Sequence, residues 1–199
     1  MTETSLLIGA NRATLNDVIA VARHRRRVAL APGVAERMAP RAGEETPPIY
    51  SVNTGFGSLA GKRAFDDPAD AAELSRRLIL ADASGLGRTV DEEVVRATIF
   101  IRIVSLVQGF SGIQLSLVQG LVDMLNHDVY PAVPEFGSLG ASGDLIPLAH
   151  IAIVLSGPAS GEDDPLDSGE AIVDGKVVSG MEAMAHAGLS RVPITAKDG

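Results

Sequence analysis

The sequence predicts a mainly α-helical protein with one small β-hairpin, and three features carry that expectation. Between Asp91 and about Asn126, the residues Val95, Ile99, Ile103, Leu106 and Val107 recur at helical spacing. From Leu145 to Leu155 apolar residues fall on every face of a helix, which suits an element buried in the core. Between Glu170 and Val178 the pair Asp174-Gly175 supplies the turn of a hairpin.

In chain order, Thr14 and Asp17 form a capping pair ahead of a helix running to about Leu30. Gly33 to Met38 is a second, short helical stretch ending near Pro40. Arg41 to Gly61 is rich in Gly, Pro, Ser, Thr and Asn and stiffened by Pro47-Pro48. It reads as an irregular loop of about 20 residues, and loops of that length inside a compact domain are usually functional. Pro68 opens a helix through about Ala81, broken by Ser84-Gly85-Leu86-Gly87. Thr89 or Asp91 caps the next helical region, which carries Glu92 and Glu93 in its first turn. Gly109 and Gly112 interrupt it, giving two helices or one broken helix. Pro131 and Pro134 open a second irregular loop through Gly143, and a helix starts at about Asp144 with Pro147 tolerated in its first turn. Ser156 to Pro165 is polar and turn-rich, and a short helix spans Met181 to Ala187, ending at Gly188. Ala196 to Gly199 reads as a helix just beginning. There is no internal repeat and no low-complexity tract.

The 199 residues suit one domain and suffice to bury a core without disulfide or metal staples. The net charge of −8 argues against nucleic acid or an anionic membrane as partner, because phosphates need a basic footprint. The cationic cluster from Arg23 to Arg27 reads as a solvated helix face. Cysteine is absent, which excludes a disulfide framework, a thiolate metal site and a cysteine nucleophile. Aromatics make up only 4% and Trp is missing, so the core must be aliphatic. Met1 to Ala10 lacks the basic start and apolar run of a signal peptide. Leu145 to Leu155 falls well short of the ~20 residues of a membrane helix. A cytoplasmic location is expected. His24, His127, His150 and His186 are scattered without ligand spacing, so no metal site is expected. His150 reads as a satisfied core histidine. Glu162, Asp163 and Asp164 read as a solvated turn, because calcium-loop spacing is absent.

Two segments stand out: Tyr50-Ser-Val-Asn-Thr-Gly-Phe-Gly57, and the run from Gly137 through Ala141-Ser142-Gly143-Asp144 to His150. Small residues dominate Gly137 to Gly143, Leu139 excepted, so the backbone there can fold sharply just ahead of a helix. Spacing alone is compatible with a glycine loop and an Asp or Ser N-cap, with or without an anion on the helix amides, and Asp144 is expected to cap the following helix and to help hold the loop. The run is neither a Walker loop nor a Gly-x-Ser-x-Gly nucleophile elbow.

Taken whole, the second segment resembles the prosthetic-group motif of the aromatic amino acid ammonia-lyase and aminomutase family. The resemblance implies that Ala141-Ser142-Gly143 cyclises by itself, the Gly amide nitrogen attacking the Ala carbonyl carbon with loss of two waters. The product would be the electrophile 4-methylidene-imidazole-5-one. Gly is the least hindered residue for the attack, Ser loses its hydroxyl to become the methylidene, and Ala is small enough for closure. The first segment matches the family's Tyr-x-x-Asn-Thr-Gly-Phe-Gly pattern in full, which implies that Tyr50 is the catalytic base. A free tyrosine has a pKa of about 10, so that role needs a stabilised phenolate. Gly55, Phe56 and Gly57 would shape the loop bearing Tyr50. The likeness extends from the Thr14–Leu30 helix to the Ala187-Gly188-Leu189 and Lys197-Asp198-Gly199 runs. It implies the N-terminal portion of the ammonia-lyase fold, with substrate contacts from Asp82, Asn53 and Gly57.

The chain departs from the family in two ways. Family members continue past the Lys197-Asp198-Gly199 run into an Asn-Gly-Thr helix start and a long helical region. That region carries an Asn near the prosthetic group and the Arg that pairs with the substrate carboxylate. Residues 1–199 are therefore expected to be the prosthetic-group-bearing part, either as a fragment or as one chain of a split enzyme. In the split case a second polypeptide supplies the C-terminal helical half, in a hetero-oligomer of tetramer-like symmetry. Second, Asp82 stands where members acting on histidine or tyrosine carry a His facing the substrate ring. As a turn residue it would only cap a neighbour. Facing the ring, its carboxylate would favour a phenol, an arylamine or an imidazole over plain phenylalanine. The expected activity is elimination of ammonia from an aromatic L-α-amino acid to give a trans-arylacrylate. The alternatives are a 2,3-aminomutase and a non-catalytic structural subunit.

Overall fold

The structure is a computed structural model that describes residues 5–39, 68–139, 143–159, 162–195 and 198. The expected loop from Arg41 to Gly61 lies outside these residues. The framework is mostly helical, with short strands paired in twos and threes.

Helix α1 (Leu15–Ala22) opens at a complete capping box. The Asp17 amide donates to Thr14 Oγ1 at 3.3 Å, and the Thr14 amide donates back to Asp17 Oδ2 at 3.0 Å. The helix is shorter than expected. Arg25 adopts a left-handed φ of 52°, after which Val28–Leu30 forms β2, parallel to β1 (Leu6–Ile8). A short apolar run reads alike as helix or strand. Here Asn126 holds it extended, bonding both the amide and the carbonyl of Val28 at 2.9 Å. The cationic cluster is consequently not a helix face. Arg23 pairs with Glu93 and Arg25 with Glu92, each at 2.7 Å, while Arg26 Nε is buried without a hydrogen bond.

Helices α2 (Val34–Met38) and α3 (Pro68–Asp82) lie where the sequence predicts them. The long helical region divides into α4 (Glu92–Leu106) and α5 (Leu115–Asn126). Gly109 makes the break: its φ is 79°, and a Cβ would stand 2.5 Å from the Arg37 carbonyl oxygen. Arg96, 1% exposed in the second turn of α4, ties α4 to the ends of α1 and α5. It donates to Val21 O at 3.0 Å, Leu125 O at 3.1 Å and Asp128 at 3.0 Å, satisfying carbonyls at the ends of α1 and α5.

The break after α3 and the expected second loop both carry strands that the sequence does not announce. Strand β3 (Leu86–Thr89) pairs antiparallel with β5 (Pro134–Phe136). Strand β4 (Tyr130–Pro131) pairs with β7 (Glu170–Val173), which forms the expected hairpin with β8 (Lys176–Ser179). Asp174 and Gly175, at φ 50° and 73°, are its two-residue turn. Helix α6 (Leu145–Leu155) leads into β6 (Ser156–Gly157), parallel to β9 (Val192–Pro193). Helix α7 (Gly180–His186) starts at Ser179, whose Oγ accepts from the Glu182 amide at 3.2 Å. The acidic run is not simply solvated. Asp163 binds the buried guanidinium of Arg191, which also donates to Ile153 O at 2.7 Å, and Asp164 caps a 3-10 turn at Pro165–Asp167. Ile99, Phe100, Ile103, Val118, Met124 and Val154 are buried in one core cluster, in which Phe100 is the one aromatic among the described residues. No helix among the described residues is long and apolar enough to cross a membrane.

Candidate active site

Of the candidate site residues, Asp82 and Gly143 are described, while Tyr50, Asn53, Gly57, Ala141 and Ser142 lie outside the described residues. Gly143 has φ 88°, and among the described residues nothing comes within 4 Å of where its Cβ would stand. Asp144 follows at φ 56° and holds the N-cap position of α6 without a side-chain bond to the helix amides. The expectation that it caps α6 is thus corrected, since capping carboxylates work from extended backbone. Its carboxylate instead accepts the Ser138 hydroxyl, drawing the two ends of the glycine loop together.

Beneath that loop, the first turns of α6 gather the neighbouring segments. Ile146 and His150, four residues apart, share one face of the helix. Gly137, on the way into the loop, packs so closely on this face that a Cβ would lie 2.5 Å from Ile146 Cγ2 and 3.6 Å from the Gly85 Cα. The Gly85 amide donates to His150 Nε2 at 3.1 Å. A Cβ on Gly85 would meet His150 Nε2, the Phe136 carbonyl and Pro134, each at 3.1 Å. Asp82, half-buried, ends α3 three residues earlier, and its carbonyl accepts the Ser84 amide at 2.7 Å. The Asp82 turn and the approach to the glycine loop therefore rest on the same face of α6. Strand pairing of Leu86 with Phe136 and an Arg88–Glu135 ion pair at 3.1 Å extend this contact outward.

His150 is half-buried, and burial holds its pKa below the usual imidazole value against the opposing pull of Glu170. Accepting an amide hydrogen at Nε2 places the proton of the neutral ring on Nδ1. The histidine is satisfied, as the sequence predicts, but its partner lies 65 residues away and no spacing rule points to it. Tyr130, the other tyrosine besides Tyr50, has a buried hydroxyl without a hydrogen bond of ordinary geometry although Asp128 lies beside it. Burial, then Asp128 and Glu92, push its pKa up, so a phenolate there is disfavoured. Among the described residues no group of three or more His, Asp or Glu is placed to hold a metal ion.

A family model described as aromatic amino acid lyase matches residues 13–199. The chain is 41% identical over 192 residues to a histidine ammonia-lyase of Streptococcus gordonii, covering 94% of this chain and 35% of the relative. It is 41% identical over 151 residues to the histidine ammonia-lyase of Vibrio cholerae, covering 76% of this chain and 27% of the relative. Among solved structures, the ergothioneine-degrading ergothionase of Treponema denticola matches 98% of this chain and 38% of its own, with TM-score 0.84 and 26% identity. Phenylalanine aminomutase of Pantoea agglomerans matches 98% of this chain and 36% of its own, with TM-score 0.80 and 30% identity. The chain spans about a third of the length of the curated relatives it matches.

Proposed function

Because the chain belongs to the aromatic amino acid lyase family, we propose that it is the prosthetic-group-bearing component of an ammonia-lyase. It would eliminate ammonia from an aromatic L-α-amino acid to give a trans-arylacrylate. The observation that carries this reading is the Ala141-Ser142-Gly143 tripeptide, which precedes α6 in the sequence, lies inside the matched region and is accompanied by the complete Tyr50–Gly57 segment.

The family uses 4-methylidene-imidazole-5-one, and the described part of the tripeptide fits it. Gly143 lies in left-handed backbone that favours glycine, and among the described residues nothing stands within 4 Å of where its Cβ would be; a residue without a side chain is the least hindered for amide attack on the Ala141 carbonyl carbon. Once formed, the group supplies an electrophile for the substrate's amine side. Tyr50 takes the β-proton onto its phenolate oxygen. Tyr130 is a poor rival for that role, because its buried hydroxyl resists ionisation. Asn53 and Gly57 line the substrate from the Tyr50 segment. Asp82 accepts a hydrogen bond from a ring donor, which favours imidazole, phenol or arylamine side chains over phenyl. The names of the relatives make L-histidine the first substrate to try. A second polypeptide, or a further length of this one, contributes the carboxylate-binding Arg and the C-terminal helical part in a larger oligomer.

The test is turnover by the chain together with whatever chain assembles with it, on L-histidine, L-tyrosine and L-phenylalanine. The expected result is an arylacrylate from at least one. Tyr50→Phe should lower kcat by roughly 10²- to 10⁴-fold, the range for loss of a positioned base, while keeping the two-water mass deficit of the prosthetic group. No product from any of the three contradicts the reading. The likeness to phenylalanine aminomutase favours a second reading, a 2,3-aminomutase, which chiral chromatography of a β-amino acid product would establish.

A further inference from the structure

We propose that His150 is a positioning residue for substrate recognition. Its Nε2 accepts the Gly85 amide hydrogen and so holds the Asp82–Gly85 turn on the face of α6 that seats the approach to Ala141-Ser142-Gly143. This inference rests on the lyase reading for its catalytic meaning, although the contact itself does not.

The argument is geometric. Two chain segments converge on Ile146 and His150 of α6: the turn after α3 and the residues after β5. A Cβ on Gly137 would collide with Ile146 Cγ2 at 2.5 Å, and one on Gly85 would crowd His150 Nε2, the Phe136 carbonyl and Pro134 at 3.1 Å. The contact of Gly137 with Ile146 is apolar packing, which allows sliding by a few tenths of an ångström, and the Leu86–Phe136 pairing ties the turn to β5 rather than to α6. The His150–Gly85 bond at 3.1 Å is directional, and it sets the height of the Asp82 turn along α6. A carboxylate that reads a ring donor must be placed within hydrogen-bond tolerance, so what fixes the turn also sets ring discrimination. The ring serves only while neutral. The titratable group bearing on it from the packed strands is Glu170, at the head of β7, whose charge favours protonation, while burial opposes it.

The test compares the wild-type chain, His150→Leu and His150→Gln, each with its assembly partner. Gln retains an acceptor on a side chain of similar reach, and Leu does not. The first readout is amide hydrogen exchange at Gly85. The second is kcat and KM on L-histidine, L-tyrosine and L-phenylalanine. In His150→Leu, exchange at Gly85 should accelerate about tenfold, and the preference for donor-bearing rings over phenylalanine should fall about tenfold through KM. His150→Gln should restore most of both. A merely structural role would lower kcat equally on all substrates and leave KM and preference unchanged, and that result overturns the proposal. Unchanged exchange at Gly85 in His150→Leu overturns it as well. If the wild type turns over none of the substrates, the lyase reading has failed separately, and the exchange measurement still decides whether His150 holds the turn.

Discussion

Asp82 and His150 meet at one turn but answer to different tests. Asp82→Leu removes the proposed ring acceptor, so kcat/KM for histidine or tyrosine should fall roughly tenfold or more relative to phenylalanine. Unchanged selectivity in the substrate panel would remove Asp82 from the substrate contacts. For His150 the prediction concerns pH. Above about pH 6.5 the imidazole is neutral in both folded and unfolded chains, and the Gly85 bond is intact. Burial lowers the folded pKa, so as pH falls the unfolded chain takes up the proton first. Stability is therefore lost from about pH 6.5 downward until the folded pKa is passed. His150→Gln cannot titrate, and its urea midpoint should fall less than the wild type's between about pH 7.5 and 5.5. Parallel midpoints would show that the imidazole is not held neutral. At this scale the sequence is uneven. The tripeptide and the Tyr50 segment stand out in the sequence because each is a contiguous string, and both enter as part of the proposed function. The Gly85 partner of His150 is not legible, because it is a contact across 65 residues. Asp144 misleads because, at φ 56°, it makes no side-chain bond to the helix amides, while its carboxylate accepts the Ser138 hydroxyl.

Helices with capping signals and long apolar periodicity are legible; short strands are not. Thr14 and Asp17 announce α1, and the capping box forms as expected. Where α1 stops is invisible locally, because Val28–Leu30 becomes a strand only through β1 and Asn126. The strands β3 and β5 are likewise tertiary products, each three or four residues long and reading as turn and loop in isolation. The glycine break between α4 and α5 is the clearest success, and it supports a prediction. In Gly109→Ala the added Cβ would face the Arg37 carbonyl at 2.5 Å on a backbone at φ 79°. The variant should lose about 2 kcal/mol or more of stability, from strain plus overpacking. Chemical denaturation measures it, and a loss below about 0.5 kcal/mol, the scale of an ordinary surface substitution, would mean that α2 does not pack against the break.

At the scale of the whole molecule, several large apolar side chains near the candidate site are exposed among the described residues. Leu86 is 73% exposed, Phe136 65%, Leu139 78% and Leu145 54%, and all four belong to the β3–β5 pair or the glycine loop and its exit. Scattered exposed leucines mean little, but Leu86 and Phe136 are paired across β3 and β5, and neighbouring exposed apolar side chains suit an interaction surface. Its place at the mouth of α6 suits the proposal that the remaining part of the ammonia-lyase fold packs there and completes the site. The most direct test of the account is the intact mass of this chain, purified alone and then with the chain that assembles with it. The account predicts a deficit of two waters, mapped to the peptide holding Ala141-Ser142-Gly143, either in both states or only after assembly. An undiminished mass in the assembled complex would contradict it, leaving the chain as a structural subunit without the electrophile.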